Sequence, residues 1–260
     1  MTTSSISPMN QKTDLQGLLA LFRFYHAAKT IQDQAAEAAS KNLSHLQFLE
    51  NLLSHEAVLR HQRSVQTRIT QSRLQVVKTI DSFDWAHPSS IPKHLILNAF
   101  SLEFVEKKEN FILVGPSGVG KSHVAQALCY AACQKEIRTL WTTAADIINT
   151  LTAAKADRSL SDAIKHYAAP KLLVIDELGF LPMDKDGSDL FFQVISHRYE
   201  QGSVVLTTNR AFKDWGKIFN DNTVATAILD RLVHHSEVAK IEGASYRVKN
   251  RKEKSNQAAG

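Results

Sequence analysis

The eight residues "GPSGVGKS", Gly115, Pro116, Ser117, Gly118, Val119, Gly120, Lys121 and Ser122, constrain this chain more than any other feature. They satisfy G-x-x-x-x-G-K-[ST], follow the apolar run "FILV" (111–114) and open the apolar helical stretch "HVAQALCYAACQ". Strand, glycine-rich loop and helix, in that order, are the context a phosphate-binding loop requires. Its glycines let successive backbone N–H groups turn inward around phosphates, at the positive end of a helix. In such a loop Lys121 reaches the β- and γ-phosphates, and the Ser122 hydroxyl ligates Mg²⁺. A chance glycine-rich turn would account for neither flank.

A second stretch, "LLVIDELG" (172–179), has two readings. Asp176 and Gly179 form the D-x-x-G of a guanine switch. The same letters also form a buried strand ending in the acid pair Asp176–Glu177 of an ATP-hydrolysing motor. A guanine switch needs N-K-x-D, which the chain lacks. The run "VVLTTNR" instead ends a further apolar strand on Asn209, an amide suited to orienting a lytic water. The adenine reading is therefore the one adopted. Asp176 becomes the second magnesium-side carboxylate, Glu177 the group that polarises water, and Gly179 a turn residue. Arg231, in "ATAILDRLVHH", is a candidate arginine finger acting on a neighbouring subunit.

Five short apolar runs alternate with helical lengths: 111–114, 139–143, 172–176, 204–209 and 237–241. This spacing predicts an α/β domain with a mainly parallel sheet covered on both faces. The pattern before it differs. Leu15, Leu18, Leu19 and Phe22 recur at helical spacing, and Ser44 with Gln47 form a capping box ahead of Leu46, Leu49 and Leu53. These leucines read as a small helical core. A polar, proline-containing stretch over about 81–95 reads as a linker. The expected divisions are a helical domain over 1–80, an ATPase domain over 81–245 and a basic tail over 246–260.

The net charge of +5 is local: 57–80 carries +5 and 244–260 carries +4, which leaves −4 elsewhere. Arg60, Arg63, Arg68 and Arg73 thus become candidate contacts for the phosphates of double-stranded DNA, and solvated faces are the alternative. Cys129 and Cys133, the only cysteines, read as small core residues. In "HEAVLRH" the histidines are too far apart for a metalloprotease, and His234 and His235 show no ligand pattern. "HRYE" (197–200) reads as a subunit contact or an exposed helix end. No apolar run reaches membrane-spanning length and the N-terminus lacks a secretory core, so a cytoplasmic protein without a membrane partner is expected.

Together "FILVGPSGVGKSHVA", "LLVIDELGF", "LFFQVISHRYE", "VVLTTNRAFKDWGKIF", "ATAILDRLVHH", "GASYRVKNR" and "SVQTRI…KTIDSFDW" resemble the AAA+ ATPases of the initiator and helicase-loader branch. The chain looks most similar to IstB-like helper proteins encoded beside an insertion-sequence transposase. The resemblance implies a homo-oligomeric, ring-shaped or spiral ATPase that uses ATP and Mg²⁺. Such a protein captures and deforms DNA with little sequence preference, then recruits and stimulates its transposase. It also implies that Asn209 is a sensor of the γ-phosphate, Arg231 the finger and Arg247 a second sensor. An extra helix is implied after the second strand, together with a reduced or absent C-terminal lid. A replicative helicase loader is the competing function within the same fold. A metabolic kinase is the competing function outside it, and it gives Asn209 and Arg231 no role.

Overall fold

The computed structural model describes residues 14–246, which divide into two compact units between 66 and 67. In the first, α1 (Leu15–Leu21) is capped by Asp14, whose side chain accepts from Gly17 N at 2.7 Å. Next come α2 (Tyr25–Ser40) and most of α3 (His45–Gln71). The expected capping box is present: Ser44 N donates to Gln47 Oε1 at 2.9 Å, and Gln47 N donates to Ser44 Oγ at 3.3 Å. Ala27, Ile31 and Leu52 form the buried cluster, with Leu19, Phe24 and Phe48 against it. The leucine reading is thereby corrected, since Leu15, Leu18, Phe22, Leu46, Leu49 and Leu53 are exposed. Periodicity marks a face of a helix, but it does not supply the element that covers it.

Glu56 is buried in this unit and accepts from His26 N and Ala27 N, both at 2.8 Å, and from Arg63 at 2.8 Å. Burial pushes its carboxyl up, and the hydrogen bonds from Ala27, Arg63 and His26 outweigh that and hold it below the ordinary range.

The second unit is built on β1 (Asn110–Val114), β2 (Thr139–Thr143), β3 (Leu172–Leu178), β4 (Ser203–Thr208) and β5 (Ser236–Lys240). These form one sheet in the order β2-β3-β4-β1-β5, and every neighbouring pair is parallel. Its helices are α4 (Lys93–Ala99), α5 (Glu103–Glu106), α6 (Lys121–Gln134), α7 (Ala144–Ala156), α8 (Leu160–Ala168), α9 (Lys185–Arg198), α10 (Gly216–Phe219) and α11 (Asn222–Val233). Because side chains alternate along a strand, the sheet buries two separate clusters. Phe111, Leu113, Val174 and Val205 pack with Val124 and Leu128 of α6. Ile112, Leu173, Ile175 and Leu206 pack with Ile147, Phe191 and Ile228. Continuous apolar runs such as "LLVI" are therefore required, since both faces are dry. The segment after β2 folds as two helices, α7 and α8. Cys129 and Cys133 are buried and unbridged in α6, as expected of core residues.

The expected boundary at 80/81 and linker over 81–95 do not coincide with the division at 66/67, which falls inside α3. Residues 72–91 belong to the second unit. Trp141 N donates to Ser72 O at 2.7 Å, Leu74 and Phe83 are buried, and Ile80, Trp85 and Ile91 pack on the same cluster. Ser90 makes an antiparallel bridge with Glu242. Polar residues and prolines dominate the composition there and mask these anchors.

Arg198 also differs from its expectation as part of a contact surface or exposed helix end. It is 1% exposed and donates to the carbonyls of Tyr167, Ala168, Pro170, Lys171 and Ser203 at 2.7–3.3 Å. Burial lowers its pKa to about 10, which keeps it charged at neutral pH. Five peptide oxygens converge on one guanidinium, and one of them, Lys171 O, also accepts from Ser203 N at 2.9 Å. Arg198→Met should therefore cost about 3–5 kcal/mol of stability in urea unfolding. Arg198→Lys should recover only part, because an ammonium has three donors and no fork. A Met variant within 1 kcal/mol of the parent, roughly the worth of a single neutral hydrogen bond, would show that the carbonyls find other donors.

Candidate nucleotide-binding site

The phosphate loop connects β1 to α6 at the carboxyl ends of the strands, where open α/β sheets gather their ligands. Its backbone is fixed by close approach. Gly118 and Gly120 have φ of +83° and +101°. A Cβ on Gly118 would lie 2.2 Å from Ser245 Oγ, and one on Gly120 would lie 2.6 Å from the Phe83 ring. Only glycine satisfies both the conformation and the space. Lys121 lies at the first turn of α6, 8% exposed, and its Nζ donates to Gly115 O at 2.8 Å and Pro116 O at 2.7 Å. The ammonium is thus held over the loop by two carbonyls. Val119 is buried and anchors the loop's middle.

Ser122 Oγ donates to Asp176 Oδ1 at 2.9 Å. Asp176 also accepts from Thr207 Oγ1, a residue of β4 that sequence reasoning missed. The Thr207 hydroxyl accepts in turn from Glu177 N at 3.0 Å. This links the ends of β3 and β4 through one hydroxyl. The pairing of β3 with β4 shifts register between Ile175 and Leu178, and Glu177 takes φ of +63°. A left-handed glutamate in a bulge is strained backbone, and it leaves the carboxylate side chain exposed at the cleft. The signal that could have found Thr207 is the hydroxyl pair "TT" directly before Asn209. Thr207→Val should lower stability by about 1–3 kcal/mol, since Asp176 loses a donor and Glu177 N an acceptor. Calorimetry checks this, at about 2–4 °C of midpoint per kcal/mol for a unit of this size. A midpoint equal to the parent's would remove Thr207 from the network.

These groups border one cleft of about 360 Å³, and Ser117, Lys121, Ser122, Glu177, Thr207 and Asn209 lie along one side of it. Phe83, Asp84, His87 and Tyr246 line the other. None of the four is among the expected site residues, although Phe83, Asp84 and Tyr246 fall in stretches that carry the family resemblance. Tyr246 N donates to Gly118 O at 2.9 Å and its ring meets His87 edge-on at 4.8 Å, so the segment after β5 crosses the loop. A cleft with a buried ammonium, inward-turned loop amides and an aromatic wall fits a nucleoside triphosphate. The hydroxyl and carboxylate of Ser122 and Asp176 are hard oxygen donors of the kind Mg²⁺ takes.

The structure brings together the loop, Asp176, Glu177 and Asn209, but not Arg231. Arg231 donates to Ala227 O at 2.9 Å, stacks over Phe192 at 4.8 Å and borders a hollow with Lys108, Asn110 and His235. Those residues mark the amino ends of β1 and β5, opposite the phosphate loop. Arg247 and the basic tail lie outside the described residues, as does what a lid would need. Of the four candidate DNA-contacting arginines, Arg60 and Arg63 belong to the first unit and Arg68 and Arg73 to the second. Among the described residues, no helix is long and apolar enough to cross a membrane.

Comparison with known proteins agrees with this geometry. The chain is 39% identical over 239 residues to the ATP-binding protein of insertion sequence IS21 from Pseudomonas aeruginosa, covering 92% of this chain and 90% of that one. It is 38% identical over 247 residues to the corresponding protein of IS232 from Bacillus thuringiensis subsp. berliner, covering 95% and 99%. A solved DnaC helicase loader superposes with a TM-score of 0.51 at 21% identity, covering 63% of this chain and 96% of that one. That likeness shows the AAA+ fold alone. The profile of the family described as IstB-like ATP binding protein matches residues 17–254. Its span and the identity to insertion-sequence relatives place this chain in the IstB-like ATP-binding family.

Proposed function

We propose that this chain is an ATP hydrolase that assembles on double-stranded DNA as a homo-oligomer and serves the transposase of an insertion sequence. The convergence of Ser122, Asp176 and Thr207 beside Glu177, within one cleft bordered by the phosphate loop, carries the reading. The names of the relatives, all ATP-binding proteins of insertion sequences, support the transposition context over helicase loading.

Mg²⁺ held by Ser122 and Asp176 would neutralise charge on the β- and γ-phosphates. Lys121 exchanges its two carbonyl partners for phosphate oxygens, which are stronger acceptors. Glu177 accepts a proton from water, and the bulge in β3 brings its exposed side chain to the cleft. Asn209, beside it at the end of β4, orients that water through its amide. Phe83 and His87 offer the flat faces on which an adenine can stack. Arg231 of a neighbouring subunit supplies the remaining cation.

Sedimentation of the full chain with about 30-base-pair duplex DNA tests the reading, since electrostatic DNA contacts need only duplex length and no fixed sequence. With a non-hydrolysable ATP analogue the chain should form large DNA-bound assemblies, and these should fall apart as phosphate is released from ATP. Equal assembly with ADP, or hydrolysis indifferent to DNA, would overturn it.

A further inference from the structure

At the amino-terminal edge of β2 lies a hollow of about 350 Å³ whose walls include Arg68, Gln71, Arg138, Thr139 and His166. Among the described residues no carboxylate lines it. Arg73 stands close enough to act on His166: loss of hydration lowers that imidazole below its ordinary range, and Arg73 and Arg138 lower it further. Among the described residues none of these three arginines is in an ion pair. The Nε of Arg68 is buried and has no hydrogen-bond partner. Two guanidiniums thus line one hollow with a third acting on the same imidazole, and an anion is the counter-charge that complements them.

The supports are rigid. Arg68 is in the last turn of α3. Arg73 is flanked by buried Ser72 and Leu74, and Ser72 O accepts from Trp141 N. Arg138 directly precedes β2, and its carbonyl accepts from Leu172 N at 3.2 Å. His166 is in the last turn of α8. The backbone that carries these side chains is therefore already in place before binding. Arg63 is different, because Glu56 already neutralises it at 2.8 Å.

We propose that this hollow seats a backbone phosphate of double-stranded DNA, held by the forks of Arg68 and Arg138 and by His166, with Arg73 adding positive charge beside His166. Planar guanidiniums match phosphate oxygens two at a time, and such contacts carry no sequence preference. The inference rests on the DNA-binding reading above and adds Arg138 and His166 to it. It moves the contact from the four-arginine run to one face of the second unit.

The test is fluorescence anisotropy of the full chain with a labelled duplex and a non-hydrolysable ATP analogue, titrated with salt. Arg138→Gln and His166→Gln should each weaken binding about three- to tenfold, and their double variant should reduce the slope of log affinity against log salt by about one. Lys213→Gln, an exposed lysine elsewhere, should have less than a twofold effect, and all the proteins should melt alike. If the parent binds DNA and the hollow variants bind it equally well, the inference fails and the DNA reading stands. If Lys213→Gln weakens binding as much as Arg138→Gln, the contact is a diffuse field and the inference fails. If the parent binds no duplex, both fail. Displacement of DNA from the parent by a poly-glutamate peptide that no longer binds Arg138→Gln, while that variant keeps full DNA affinity, would assign the hollow to an acidic protein segment instead.

Discussion

Lys121→Ala should lose ATP binding, while Glu177→Gln should bind ATP as the parent does and release phosphate about 10²–10⁴ times more slowly. The two fail at different steps because the two side chains meet different charges. Lys121 is buried and held by the carbonyls of Gly115 and Pro116, so its charge is already aimed where phosphate oxygens would sit. Removing one partner of a buried charged contact costs about 3–5 kcal/mol, which is roughly two to three and a half orders of magnitude in affinity. Glu177 is exposed at the cleft and approaches no loop carbonyl, so an amide in its place leaves ground-state binding intact. It removes only the acceptor for the proton of water. Fluorescent-nucleotide binding read beside phosphate release separates the two. A Glu177→Gln protein hydrolysing at the parent rate would remove Glu177 from the chemistry. A Lys121→Ala protein with unchanged affinity would remove the loop from binding.

The central sheet was legible because its signals are local and strong. Short apolar runs between helical lengths and bounded by turn residues favour strands of a parallel sheet, and the observed strands begin or end within two residues of those expected, although β5 is largely exposed. The phosphate loop was legible for the same reason, since its residue types answer a backbone requirement that few sequences meet. What the sequence concealed depends on contacts between distant segments. Thr207 acquires its role only because a bulge in β3 brings Glu177 N against a hydroxyl of β4. Phe83 and His87 line the cleft from a stretch whose composition reads as linker. The charge of Arg198 turns inward, against the usual rule for arginine, because five carbonyls at the ends of neighbouring segments converge on it. The leucines of α1 fail in the opposite direction: their spacing is helical, yet most of them face outward.

Arg231 separates a property of one subunit from a property of the assembly. Within its own subunit it sits at the end of α11, just before β5, bonded to Ala227 O and stacked on Phe192. The phosphate loop lies at the other end of the sheet, about 16 Å away for a strand of five residues. That distance exceeds the reach of an arginine side chain, so Arg231 can meet a γ-phosphate only across a subunit boundary. Arg231→Ala should therefore keep nucleotide affinity while losing about 10³–10⁵ in hydrolysis, the usual worth of such a finger. Loss of hydrolysis alone would not distinguish a finger from a packing residue, because the stack on Phe192 also disappears. Mixing makes the distinction. Arg231→Ala retains an intact phosphate site and Lys121→Ala an intact arginine, and neither should hydrolyse ATP alone. In a mixed assembly some sites pair the intact loop of one subunit with the intact arginine of the next. Phosphate release should then reappear, rising and falling with the mixing ratio and greatest near equal proportions. Persistent inactivity in mixtures shown by sedimentation to co-assemble would make Arg231 a structural residue of its own subunit.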